Sequence, residues 1–104
     1  MKILAISVFE PGKAGEVAKV LDKVIPATPG YKPLAMYVCL GNPFPGTIPP
    51  NSMVGITIAE VENENALAAV SYPLALAGMN VHRVPILEMK AGQSAETEKK
   101  LRGA

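Results

Sequence analysis

His82 is the one side chain in the chain whose ordinary pKa lies near neutrality, and it stands in an apolar run, Val81-His82-Arg83-Val84. A histidine there can take a proton from, or give one to, a ligand held beside it, which makes it the candidate catalytic residue. A lone histidine on a strand equally serves as a hydrogen-bonded interface or surface residue, and no partner for it is set by the spacing. Alternation places Ser7, Tyr37, Cys39, Thr57 and Asn80 on the same sheet face as His82. If they converge on a cavity, their polar groups orient a small ligand by hydrogen bonds. Otherwise Cys39 is a small buried hydrophobe, and Tyr37 and Thr57 are ordinary cross-strand packers. Thiolate chemistry at Cys39 needs a neighbouring positive charge that the sequence does not display. Arg83 falls on the opposite, core-facing side, where a bare guanidinium is costly. It either snorkels to water from a sheet edge or binds an anionic ligand.

Other chemistries lack their parts. One cysteine and one histidine cannot supply four ligands to a structural zinc, and a haem role would rest on His82 alone, so neither metal nor cofactor is expected. Gly12-Lys13-Ala14-Gly15 lacks the spacing and the hydroxyl of a phosphate loop. Ten Lys and Arg against nine Asp and Glu leave a charge of +1, and aromatics make up 5% of the chain with no Trp. That balance offers neither the electrostatic footprint nor the stacking platform of a nucleic-acid binder. A single cysteine fits a reducing cytoplasm. The apolar run Ile3–Phe9 is too short for a signal segment with its cleavage site, and no apolar stretch reaches the roughly 18 residues of a membrane span.

The elements that position these residues follow from hydrophobic period. Lys2–Phe9 reads as a first strand, closed by Glu10-Pro11-Gly12. Val17, Val20, Leu21 and Val24 recur at helical spacing in Ala14–Ile25, and Pro26 stops that helix. A second strand is expected over Leu34–Leu40. Residues 41–52 hold prolines at 43, 45, 49 and 50 and must form a stiff loop, a lid or an arm that grips a neighbouring subunit. Met53–Val61 makes the third strand. Asn63 and Asn65 with Glu62 and Glu64 cap a second helix over Ala66–Ala77, which Pro73 should kink or shorten and Gly78 should close. Met79–Leu87 is the last strand, with Pro85 arguing for a sheet edge. Residues 1–88 form one domain, and 89–104 a polar tail or short helix, with Ser94–Arg102 the helical candidate.

Strand, helix, strand, strand, helix, strand is the split βαβ order, an α+β ferredoxin-like fold: a four-stranded antiparallel sheet, order 4-1-3-2, with two helices on one face. Alternation assigns Leu4, Ile6, Val8, Met36, Val38, Val54, Ile56, Ile58 and Val81 to the helix-covered face. The opposite face then mixes Ile3, Ala5, Ala59 and Val84 with the polar candidates. A mixed face of this kind is one that a second copy covers, sheet against sheet.

The element order, with Gly55-Ile56-Thr57-Ile58-Ala59-Glu60-Val61-Glu62-Asn63-Glu64-Asn65-Ala66-Leu67 and Val81-His82-Arg83-Val84-Pro85-Ile86-Leu87, resembles the dimeric α/β-barrel superfamily and its small uncharacterised domains. The resemblance covers residues 1–88 in topology and 54–88 in local pattern. It implies sheets paired into a barrel, in a superfamily that includes cofactor-free monooxygenases, lactone isomerases and haem-degrading enzymes. The proline loop departs from those enzymes. The expectation is therefore a homodimer that binds a small molecule at the mixed face, with a cofactor-independent isomerase or monooxygenase using His82, or an oligomerisation module, as the alternatives.

Overall fold

Three long strands and one short one pair into a single antiparallel sheet. β1 (Lys2–Phe9) lies between β3 (Met53–Val61) and β4 (Asn80–Pro85), and β2 (Tyr31–Val38) forms the other edge beyond β3. A computed structural model describes residues 1–103; Ala104, the last residue of the expected tail, lies outside the described residues. α1 (Ala14–Val24) and α2 (Glu64–Leu76) pack on one face of the sheet, and α3 (Ser94–Arg102) follows β4. This is the expected βαββαβ ferredoxin-like fold, with the expected strand order.

Local chemistry explains most boundaries. Asn63 is the N-cap of α2, its Oδ1 accepting from the Ala66 amide at 2.9 Å, so the helix begins at Glu64, two residues earlier than expected. Pro73 sits inside α2, and the helix runs on through it to Leu76. Its end is a Schellman turn: Gly78, at φ +100°, donates to the Ala75 carbonyl and Met79 donates to the Leu74 carbonyl. β2 begins at Tyr31 rather than Leu34, because an edge strand can carry Pro33 with its missing donor facing outwards. A register shift between Pro33 and Ala35 accommodates Leu34 as an extra residue. α3 forms where expected, tied by an Arg102–Glu98 ion pair at 2.7 Å.

The core lies between helices and sheet. Ile3, Ala59 and Val61 from the central strands meet Val17, Val70 and Leu74 from the helices, with Tyr31 and Met79 beside them. This inverts the expected facing of the two central strands. Ile3, Ala5 and Ser7 of β1, with Gly55, Thr57 and Ala59 of β3, point to the helices, and Leu4, Ile6, Ile56 and Ile58 point away. The edge strands keep the expected facing: Val81 packs on the core, and His82 pairs with Ile6 on the outer face. Both alternating sets of β1 and β3 are apolar, so alternation alone does not choose between them. The helices lie against the smaller set, and the larger aliphatics form the outer face.

The molecule measures 49 × 35 × 18 Å, its shortest dimension matching one sheet and one helix layer. Its radius of gyration of 15.8 Å exceeds the roughly 13 Å of a compact chain of this length. α3, without a buried residue, and the 39–52 loop, with Leu40 fully exposed, account for the extension.

Candidate functional site

Small side chains on facing elements leave space between α1 and the sheet. Ser7 and Gly55 are cross-strand partners, and Ala14 and Ala18 of α1 lie above them. The result is a cavity of about 290 Å³, walled mainly by apolar side chains that include Val17, Leu21 and Met36, with Ser7 and Thr57 as its aliphatic hydroxyls and Tyr37 at its border. Ser7 is buried, and neither hydroxyl takes part in a hydrogen bond among the described residues. Both hydroxyls are thus free to bond a ligand that enters the cavity. The cavity can therefore hold a small, mostly apolar molecule with one polar group.

The sequence-derived site residues divide between the two faces. Ser7, Thr57 and Arg83 lie on the helix side. Tyr37, Asn80 and His82 belong by register to the outer face, although Tyr37 also borders the cavity and Asn80 a recess between α2 and β4. Cys39 follows β2, half-buried and free, its amide bonded to the Val54 carbonyl at 2.7 Å. The single constellation expected from alternation is thus split by the inverted facing of β1 and β3. Tyr37, Ile56, Ile6 and His82 instead form one cross-strand row over the outer face. Tyr37 and His82 stand on opposite edges, three strand spacings or roughly 14 Å apart, too far to act on one ligand atom within one chain. Thr57 lies on the other side of the sheet from His82.

Arg83 shares a cross-strand row with Ala5 and Thr57. Its Nε is sealed from solvent without a hydrogen-bond partner, and Arg83 enters no ion pair among the described residues. Burial pulls its pKa below the usual arginine value, and the neighbouring Tyr31 opposes this. Burial raises the Tyr31 phenol, and the Arg83 charge partly offsets the rise. Tyr31 was not singled out from sequence; its place between Gly30 and Pro33 disguised it as a connection residue. Ala14 and Ala18, the small pair four residues apart beside Val17 and Leu21, were the signal for space under α1.

Among the described residues no group of three or more His, Cys, Asp or Glu could hold a metal, and no helix is long and apolar enough to cross a membrane.

No protein-family model matches the sequence, and no curated protein matches it. Solved structures do resemble it. The C-terminal domain of the MgtC protein from Mycobacterium tuberculosis superposes with a TM-score of 0.59 at 13% identity, covering 86% of this chain and 92% of that one. A dimeric ferredoxin-like protein of unknown function from Jannaschia sp. gives 0.53 at 16% identity, covering 83% of this chain and 100% of its own. A DUF3240 family protein from Shewanella baltica gives 0.51 at 12% identity, with 86% and 94% covered. At these identities the likeness is one of fold, and the chain has the ferredoxin-like fold that its sequence pattern implies.

Proposed function

We propose that this chain is a homodimeric small-molecule-binding domain. Two copies pack their outer sheet faces together, and each holds a small, largely apolar ligand in the cavity beneath α1, oriented by Ser7 and Thr57. The observation that carries the reading is the apolar outer face. Leu4, Ile6, Ile56 and Ile58 at its centre are only half-buried, Val8 and Val54 close one end of it, and the exposed Tyr37 and Val84 extend it to both edges. Monomeric proteins seldom leave a contiguous apolar surface of this kind in water. The dimeric state of the Jannaschia protein, which shares the fold, agrees with a covered face. A free, half-buried Cys39 fits a cytoplasmic location.

The reading moves the ligand from the outer face to the helix side of the sheet. His82, on the outer face, then belongs to the subunit interface, and the isomerase and monooxygenase alternatives lose their proton carrier at the cavity.

Titration with p-cresol, one aromatic ring with one hydroxyl, tests the site. Methyl resonances of Val17, Leu21 and Met36 are expected to shift saturably, and Ser7→Ala with Thr57→Val is expected to weaken binding about tenfold. Shifts confined to Ile6, Ile56 and Val84 would place the ligand on the outer face and refute the assignment.

A further inference from the structure

A second recess lies on the other side of the helix layer, between α2 and the edge strand β4. It opens on the surface, holds about 380 Å³, and is divided from the cavity beneath α1 at Met79. Ala68 and Ala75 from α2 and Val81 from β4 give it an apolar floor, Ser71, Tyr72 and Asn80 add polar groups, and among the described residues Arg83 supplies its one formal charge. Among the described residues no carboxylate lines it.

We infer that this groove binds a small organic monocarboxylate, with the carboxylate on the Arg83 guanidinium and the apolar body against α2.

The warrant is the state of Arg83. An arginine drawn half out of water normally has a carboxylate or several carbonyls around it, because an uncompensated charge is expensive to desolvate. Among the described residues Arg83 has neither in an ion pair or hydrogen bond, and its Nε is hidden without a partner. The terminal nitrogens are not sealed in this way, so the fork can meet an anion from the groove side. A planar carboxylate matches the guanidinium fork.

The surroundings choose among anions. One guanidinium balances one negative charge; a phosphate dianion would leave excess charge against alanine and valine walls. Ser71 lines the groove, but its hydroxyl already donates to the Leu67 carbonyl and keeps only acceptor capacity, which suits no anion. Tyr72, mostly exposed at the rim, and the Asn80 amide are the further side-chain donors, both neutral. A single charge with an apolar body is the ligand this set recognises.

The same carboxylate chemistry has a second source, an acidic side chain of another copy, and the experiment separates the two. Benzoate is titrated into the full-length protein by calorimetry and by NMR. Benzyl alcohol serves as the uncharged analogue and inorganic phosphate as the anion without an apolar body. Arg83→Met keeps the length of the side chain without the charge, and Ala75→Phe fills the groove. Saturable benzoate binding with shifts at Ala68 and Ala75 is expected, at least about tenfold weaker for benzyl alcohol, for phosphate and for either variant. Arg83→Met is also expected to melt at a higher temperature than wild type without ligand, since it removes an unpaired buried cation, and to keep the wild-type solution mass. Absence of saturable benzoate binding, equal binding by Arg83→Met, or tighter binding of phosphate would overturn the proposal. Loss of the wild-type mass in Arg83→Met would assign the carboxylate to a second copy and overturn the small-molecule site, while leaving the cavity beneath α1 untouched.

Discussion

Ser7 and Gly55 face one another across β1 and β3. A Cβ placed on Gly55 would lie 3.8 Å from the Cβ of Ser7 and 3.5 Å from the Tyr37 carbonyl oxygen. Those are ordinary contact distances, so the position tolerates a methyl group, while anything larger grows into the cavity floor. Gly55→Ala is expected to fold with near-normal stability and still bind p-cresol. Gly55→Leu is expected to abolish p-cresol binding without changing the oligomeric state. Unimpaired binding in Gly55→Leu would move the ligand elsewhere.

The Tyr31 phenol gives the protein an alkaline limit. Its pKa is raised in the folded state, chiefly by burial, so the unfolded chain releases that proton first. The contribution is intact below the unfolded value of about 10 and is lost as pH climbs towards the folded one. Chemical denaturation from pH 8 to 11 is expected to show a decline in wild type that is shallower in Tyr31→Phe. Parallel profiles would mean that the phenol does not change environment on folding.

Removal of the α2 cap isolates one hydrogen bond. Asn63→Ala loses the acceptor that holds the Ala66 amide, and a loss of about 1 kcal/mol is expected in urea unfolding. Asn63→Asp should recover most of it, because a carboxylate at that end also complements the helix dipole. Failure of Asp to recover stability would assign the loss to something other than the cap.

Leu74 is nearly fully buried among Ile3, Val61 and Val70. Leu74→Ala is expected to cost about 2–5 kcal/mol, the sum of lost transfer and a residual void. Leu76→Ala, two residues on and 74% exposed, is expected to be nearly neutral. Similar losses at both positions would contradict the placement of the core face of α2.

The topology was legible because each element carries its own signal. The helical spacing of Val17, Val20, Leu21 and Val24, the Asn63 cap and the Pro–Gly breaks fix a strand-helix order that only a few folds satisfy. The facing of β1 and β3 was not legible, since Leu4, Ile6 and Val8 are as good a core stripe as Ile3, Ala5 and Ser7. Size decides the matter, and in the unexpected direction: Ala5, Ser7, Gly55 and Thr57 admit α1 closely and leave a cavity, and the bulky aliphatics go to the face without helices. Ser7 and Thr57 therefore share a face, as alternation has them, but that face is the helix side, away from Tyr37, Asn80 and His82. Cross-strand rows, which separate Tyr37 from His82 by two isoleucines, are a property of register that no single strand encodes.

The outer face is the centre of the account, and solution mass tests it directly. Sedimentation equilibrium of the wild-type chain is expected to give twice the 10.9 kDa monomer mass. Ile6→Glu, which places a charge in the middle of the Tyr37–Ile56–Ile6–His82 row, is expected to give the monomer mass with unchanged circular dichroism. A wild-type chain that stays monomeric across the micromolar to millimolar range, or an Ile6→Glu variant that still dimerises fully, would contradict the proposal that a second copy covers this face.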